Sequence, residues 1–251
     1  VRLLVIESAH NDRFKAWESA TESRGIRKSG QFLLAGRKTV PEALRLHARH
    51  FQAILCRDPA EAAALNPPDD MQVVQLTQPL FERLDVSGTR HPLLLGTVPD
   101  MPQADLTQPP KGLEVLCALG DPANLGAALR SAAAFGASRV VLLQEAAHPF
   151  HPKSLRAAAN APFTLDLQRG PDWAGLANAT GPLVGLDGAG TALTDYKWPA
   201  DLRLVLGEEG RGLPADLNLT RLSIPGTGKV ESLNATVAVS VAMFAWYAAQ
   251  T

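Results

Sequence analysis

Cysteine is nearly absent from this 251-residue sequence: Cys56 and Cys117 are the whole complement. Each stands alone in an apolar, strand-like run, so both read as buried free thiols of a reducing compartment rather than as a disulfide or a metal site. The six histidines show no paired ligand spacing, and His148 and His151 read as loop residues, so no metal is expected. Long apolar runs are missing too. The longest, Leu233 to Ala249, is interrupted by Asn234, Thr236 and Ser240 and falls short of the roughly 20 residues a bilayer requires. No basic-then-apolar leader opens the sequence, which starts at Val1 rather than methionine. A cytoplasmic location without membrane contact is the expectation. Internal repeats and low-complexity tracts are also lacking.

What is present is an ordinary globular balance of 46% apolar and 20% charged residues, enough for one large or two small domains. The formal net charge of −1 argues against a general nucleic-acid coat, but the charge is unevenly placed. Residues 1–56 carry ten Lys/Arg against five Asp/Glu, residues 57–107 three against eight, and residues 108–251 eleven against twelve. A basic N-terminal segment in a neutral chain fits a local phosphate-contacting face. It fits solvated helix surfaces equally well.

The clearest boundary lies between Val98 and Gly112, where Pro99, Pro102, Pro109 and Pro110 sit among polar residues. Neither helix nor strand tolerates that density of proline. The spacing predicts a domain over 1–98, a linker over 99–112 and a second domain over 113–251. In the first, Gln31–Ala35 and Gln52–Cys56 read as strands around a helix from Val40 to Arg49, with further strands at Val73–Leu76 and Leu93–Val98. In the second, Leu113–Leu119 is a continuous apolar run suited to a parallel strand buried on both faces. A helix over Ala123–Phe135 follows, with Asp121 as N-cap and Pro122 in its first turn, and Gly136 ends it. Arg139–Leu143, Leu183–Leu186, Leu202–Leu206 and Leu222–Ile224 read as strands. A helix runs from Glu231 to about Ala248. Leu233, Val237, Val241 and Phe244 form one apolar stripe on it, and Ala235, Val239, Ala242 and Trp246 make the other side apolar, so it reads as buried all round.

Three blocks fall where predicted strands end. They are Asn124–Leu125–Gly126 with Arg130; Leu206–Gly207–Glu208–Glu209–Gly210–Arg211–Gly212–Leu213; and Ile224–Pro225 running into Glu231–Ser232–Leu233–Asn234. In an open α/β sheet ligands bind at such strand ends. The second block has the wrong spacing and position for a dinucleotide fingerprint. A P-loop fails at Gly228–Lys229, because Val230 follows and Ser223 stands where the first glycine is needed. The Gly-x-Ser-x-Gly elbow of hydrolases is absent. A doubly wound oxidoreductase lacks its early glycine fingerprint.

Taken together, these blocks resemble the motifs of the SpoU (TrmH-like) branch of the SPOUT RNA methyltransferases. They read Asn124-x-Gly126-x3-Arg130 with Phe135–Gly136; Leu206–Gly207-x-Glu209–Gly210-x-Gly212–Leu213; and Ile224–Pro225, Gly228 and Val230–Glu231–Ser232–Leu233–Asn234. Gly226 departs from the methionine often found there. More loosely, Ser8 to Leu44 resembles the L30e-like substrate-binding domain that many members carry. It holds Asn11, Lys15, Arg27–Lys28 and the run to Gly36.

The resemblance implies an α/β fold: a parallel-sheet α/β/α domain with a C-terminal trefoil knot, preceded by a smaller L30e-like α/β domain. It implies an S-adenosylmethionine-dependent RNA 2′-O-ribose methyltransferase acting on structured RNA, with 23S-type rRNA ahead of tRNA. A non-catalytic RNA-binding protein on the same scaffold is the other alternative. It casts Arg130, Asn124, Ser232, Asn234 and Glu209 as catalytic. Leu206, Gly207, Gly210, Ile224 and Leu233 would hold the cofactor, and Lys15, Arg27, Lys28 and Arg156 the RNA. A homodimer is implied, which the greasy terminal helix suits.

Overall fold

Short apolar runs on either side of the proline-rich stretch build two different sheets. The structure, a computed structural model, describes residues 3–207, 212–230 and 232–251. In chain order its elements are β1 (Leu3–Ile6), α1 (Asp12–Ser19), α2 (Ser23–Ser29), β2 (Gln31–Leu34), α3 (Thr39–His47), β3 (Phe51–Cys56), α4 (Pro59–Ala63), β4 (Gln72–Leu76), α5 (Gln78–Leu84) and β5 (Leu93–Thr97). They continue with β6 (Leu113–Cys117), α6 (Pro122–Ala134), β7 (Arg139–Leu142), α7 (Pro152–Ala158), β8 (Leu167–Arg169), β9 (Leu183–Ala192), β10 (Leu202–Leu206), β11 (Thr220–Ser223) and α8 (Ala235–Ala248). Two compact units result: Val1–Asp100 with His148–Phe163, and Met101–Ala147 with Thr164–Thr251.

The first unit holds a five-stranded mixed sheet in the order β1-β4-β3-β5-β2. β1, β4 and β3 run parallel, while β5 pairs antiparallel with β3 and β2. Successive residues of a strand point to opposite faces, and β2 uses both. Leu33 joins a core with Phe14 and Trp17 of α1, Phe81 and Leu84 of α5, and Leu55, Val74 and Leu95 of the sheet. Asn11 caps α1 by accepting from Arg13 N and Phe14 N. Phe32 packs with Phe51 and Phe150, at ring-centroid distances of 5.8 and 4.9 Å. Its partner across the ladder is Gly96, and a Cβ there would lie 2.3 Å from Phe32 Cζ, so only glycine leaves the ring its place. Phe150 brings the segment His148–Phe163 into this unit. The expected assignment of that segment to a domain over 113–251 is thereby corrected: its aromatic residues find their apolar partners in the first sheet.

The second unit holds a six-stranded sheet, order β11-β9-β10-β6-β7-β8, in which every pairing is parallel. β6 and β10 are buried along their whole length, as strands covered on both faces must be. Asp121 caps α6 by accepting from Asn124 N, and Pro122 occupies the first turn. The proline-rich stretch is not a free linker from Met101 onward. It belongs to this unit, where Gln103 bridges Arg169 of β8 and fully buried Arg203 of β10 gathers its carbonyls. Arg203 donates to the oxygens of Leu106, Gln108 and Thr180 and to Glu114 Oε2. Prolines give up a ladder donor, but their neighbours' carbonyls remain acceptors, and a guanidinium supplies five donors.

Helix α8 differs from its expected form in two ways. It starts at Ala235 rather than Glu231, because Asn234 is its N-cap, accepting from Thr236 N and Val237 N. It is also not buried all round. Val239, Ala242, Met243 and Trp246 face the interior, whereas Val237, Phe244 and Tyr247 are 49%, 56% and 45% exposed.

Candidate active site

The sequence blocks converge because the sheet is parallel. Strands β6, β10 and β11 precede the first, second and third blocks, and all three run the same way. Their C-terminal ends therefore open on one edge of the sheet. Cys117 ends β6 in register with Leu206, which ends β10, and Ala118 N donates to Leu206 O at 3.0 Å. From β6 the chain first proceeds to β7 and β8 on one side, and later fills β10 and β9 on the other. The first two blocks thus flank the point where strand order reverses, the place where open α/β sheets bind ligands.

The helices reinforce this convergence. Ser131 Oγ of α6 meets Ser240 Oγ of α8 at 2.7 Å, and the Phe135 ring meets Phe244 at 5.9 Å. Both pairs are separated by the same number of positions, so α6 and α8 run parallel and their N-termini share one end. Asn124 lies in the first turn of α6, half-buried, and Asn234 caps α8. Ser232 and Leu233 precede that cap and are exposed, as is Arg130 on α6. Asn234 uses its Oδ1 to cap the helix, accepting also from Thr236 Oγ1 at 2.6 Å.

Of the second block, positions 206, 207, 212 and 213 are among the described residues. A Cβ on Gly207 would lie 2.6 Å from the backbone carbon and oxygen of Gly212. Positions 207 and 212 approach this closely only because position 207 has no side chain. Such bare backbone fits a ligand held by peptide N–H and C=O groups. Leu206 is buried, Ile224 half-buried and Leu233 45% exposed. Glu209 and Gly210 lie outside the described residues. Cys117, buried beside the site, is an inert thiol, since burial pushes it up to about 12 and leaves no thiolate at neutral pH.

Four residues read as RNA contacts belong to the first unit. Lys15 is exposed and pairs with Asp12 at 3.2 Å. Arg27 and Lys28 are exposed in the last turn of α2. Arg156, exposed on α7, donates to Ser87 O at 3.2 Å. His148 and His151 are loop residues as expected, and both are buried; His151 caps α7, and burial, with Arg27 and His151 nearby, pulls His148 down to about 4. Among the described residues no three His, Cys, Asp or Glu side chains gather as metal ligands, and no helix is long and apolar enough to cross a membrane.

Sequence reasoning missed a buried charge cluster at the opposite edge of the sheet, where β6, β7 and β10 begin. Glu114 Oε2 accepts from Arg203 Nε at 2.8 Å and from Arg139 Nη2 at 2.9 Å. Each of these residues stands in an otherwise apolar strand, and a charge in such a run was the available signal.

Known proteins share the pattern. Residues 114–244 match the model of the SpoU rRNA Methylase family. The chain is 40% identical over 242 residues to the ribosomal RNA small subunit methyltransferase G 2 of Syntrophobacter fumaroxidans, a match covering 96% of this chain but 48% of that protein. The chain thus spans about half the length of that relative. It is 31% identical to the 23S rRNA (guanosine(2553)-2′-O)-methyltransferase RlmP of Bacillus subtilis, over 95% of this chain and 97% of that one. Its fold is similar to the SpoU methyltransferase AviRb of Streptomyces viridochromogenes, solved with the cofactor AdoMet, with a TM-score of 0.78, 23% identity, and coverage of 96% and 98%. With three motif loops on one edge of a parallel sheet and this match over half its length, the chain belongs to the SpoU rRNA methylase family.

Proposed function

We propose that the chain is an S-adenosylmethionine-dependent RNA methyltransferase that modifies a ribose 2′-hydroxyl, with 23S-type rRNA as its substrate class. The observation that carries this reading is the exit of all three blocks from one edge of a parallel sheet, with the N-termini of α6 and α8 at a common end. The names of the B. subtilis relative and its activity on 23S rRNA support the substrate class.

Leu206, Gly207, Gly210, Ile224 and Leu233 would hold the cofactor, mainly through backbone. When bound, S-adenosylmethionine supplies an electrophilic methyl group on a sulfonium. The chain's own task is to bring up a poor nucleophile and ease the loss of its proton. Arg130 is the central residue. A guanidinium has a pKa above about 12, which suits it less to removing a proton than to anchoring phosphate and stabilising the developing alkoxide. The proton then passes to water or a phosphate oxygen. Asn124, Ser232 and Asn234 shape the pocket, and Glu209 contributes negative charge.

The first unit, read as L30e-like, selects the RNA, with Lys15, Arg27, Lys28 and Arg156 on phosphates. The second carries a trefoil knot. Strand order supports this: β10 enters the slot between β6 and β9, β11 adds outside β9, and α8 then returns to α6. The exposed face of α8, with Val237, Phe244 and Tyr247, is the surface of a homodimer. The protein works in the cytoplasm.

The test is methyl transfer from radiolabelled S-adenosylmethionine to unmodified 23S rRNA, with mapping of the product's 2′-O-methyl groups. Arg130→Ala is expected to lower the rate at least about 100-fold while calorimetry shows cofactor affinity within about twofold of wild type. Equal loss of cofactor affinity would overturn the assignment of Arg130, and base methylation would overturn the reaction class.

A further inference from the structure

A cluster of half-buried rings in the first unit takes no part in the chemistry above. His47 ends α3, and His50 closes the short 3-10 turn Ala48–His50 that follows. Both imidazoles lie against Phe163, with centroids 5.4 and 5.3 Å away and planes 28° and 31° from parallel. The imidazoles are 6.5 Å apart, so they sit side by side. Phe163 rests in turn on Phe51 and Phe150, at 5.5 and 5.7 Å with steep interplanar angles of 67° and 58°. Three half-buried rings therefore form a ledge on a fixed aromatic floor.

The surroundings are cationic. Residues 37–50 contain Arg37, Lys38, Arg45 and Arg49 against Glu42 alone, and Glu42 accepts from Asn160 Nδ2 at 3.0 Å. The four cations are exposed. None has an ion-pair partner among the described residues. Burial, then Arg49, hold both imidazoles below the usual histidine range, and Arg49 Nε donates to His50 Nε2 at 3.4 Å, a contact that requires neutral His50. Neutral rings beside fixed cations suit a base stacked next to its phosphates. An apolar protein surface would have to desolvate the same arginines.

We propose that His47, His50 and Phe163 form a stacking ledge for an unpaired nucleotide of the RNA substrate, with Arg45 and Arg49 on the adjoining phosphates. The ledge rests on the reading of RNA as substrate and supplies it with a preference for single-stranded loops over helices.

The probe is a fluorescein-labelled 12-nucleotide oligouridylate, titrated with the full chain. His47→Ala with His50→Ala is expected to weaken binding about fivefold to 100-fold, the range measured for loss of a stacked base, with the salt slope unchanged. His47→Phe with His50→Phe keeps the affinity. Arg45→Gln with Arg49→Gln flattens the salt slope instead. Photocrosslinking of the wild-type chain to a 5-iodouridine version needs no variant to fold, and the crosslinked peptides are expected to contain residues 45–50 or 163. Wild-type affinity in the alanine pair at an unchanged melting temperature overturns the ledge, as do crosslinks confined elsewhere. Unchanged affinity with an altered oligomeric mass assigns the rings to a protein interface and also overturns it. A chain that binds the probe through the ledge yet methylates no RNA refutes the enzymatic reading and leaves the ledge standing. One that methylates RNA with the alanine pair at full affinity refutes the ledge alone.

Discussion

Arg203 Nε donates to Glu114 Oε2 at 2.8 Å inside the second sheet, on side chains 0% and 4% exposed. The same guanidinium holds the carbonyls of Leu106, Gln108 and Thr180, so one residue fixes both a carboxylate and the proline-rich strap. Breaking a buried pair from one side costs about 3–5 kcal/mol. Arg203→Met is expected to lower the unfolding free energy by about that much in urea titrations. Arg83→Ala, which removes a partly exposed pair with Glu18, is expected to cost less than about 1 kcal/mol.

Gly207 offers a sharper test of the proposed cofactor loop. A methyl group there meets the Gly212 backbone at 2.6 Å, and neither side of that contact is a flexible chain end. Overpacking of this kind costs about 1–3 kcal/mol, so Gly207→Ala is expected to reduce S-adenosylmethionine affinity about tenfold or more by calorimetry. The first unit's binding of RNA is expected to stay unchanged in the same protein.

The pH dependence of stability follows from His148. Its folded pKa, about 4, lies below the unfolded value near 6.5. Between those values the unfolded chain binds more protons, so stability rises with pH. The contribution is fully present above about pH 6.5 and is lost as pH falls towards about 4, to a total of about 3 kcal/mol. His148 Nδ1 accepts from Phe150 N at 3.2 Å, and His148→Asn keeps an acceptor while removing the titration. Urea midpoints measured across this window should fall in wild type and flatten in the variant.

Phosphate contacts by Lys15, Arg27 and Lys28 would be read from salt. Each lost contact to single-stranded RNA reduces the log–log slope by about 0.7. Exchanging all three for glutamine is expected to flatten the slope by about 2, with cofactor affinity unaltered. An unchanged slope would remove these residues from the interface.

Much of the second unit was legible in the sequence, because strands buried on both faces write themselves as unbroken apolar runs. Leu113–Leu119 and Leu202–Leu206 each contain a strand of the sheet, and the Asp121–Pro122 pair marked the start of α6. Legibility failed where tertiary contacts decide. β8 is three residues long, too short for a period to register. The start of α8 was read at Glu231 rather than Ala235, because the capping role of Asn234 depends on where neighbouring elements stop the helix. The strap over 101–110 read as a linker because its anchor, Arg203, lies far along the chain. The ledge was invisible, since Phe163 and His47 meet only after the chain has crossed between units.

That crossing affects biosynthesis. When translation has delivered residues up to Asp100, Phe32 and Phe51 exist but Phe150, Phe163 and α7 do not. A truncated gene ending at that point would yield a polypeptide with an uncovered aromatic surface, prone to self-association. The nascent N-terminal portion must wait for a stretch encoded more than forty codons later before its interior is sealed.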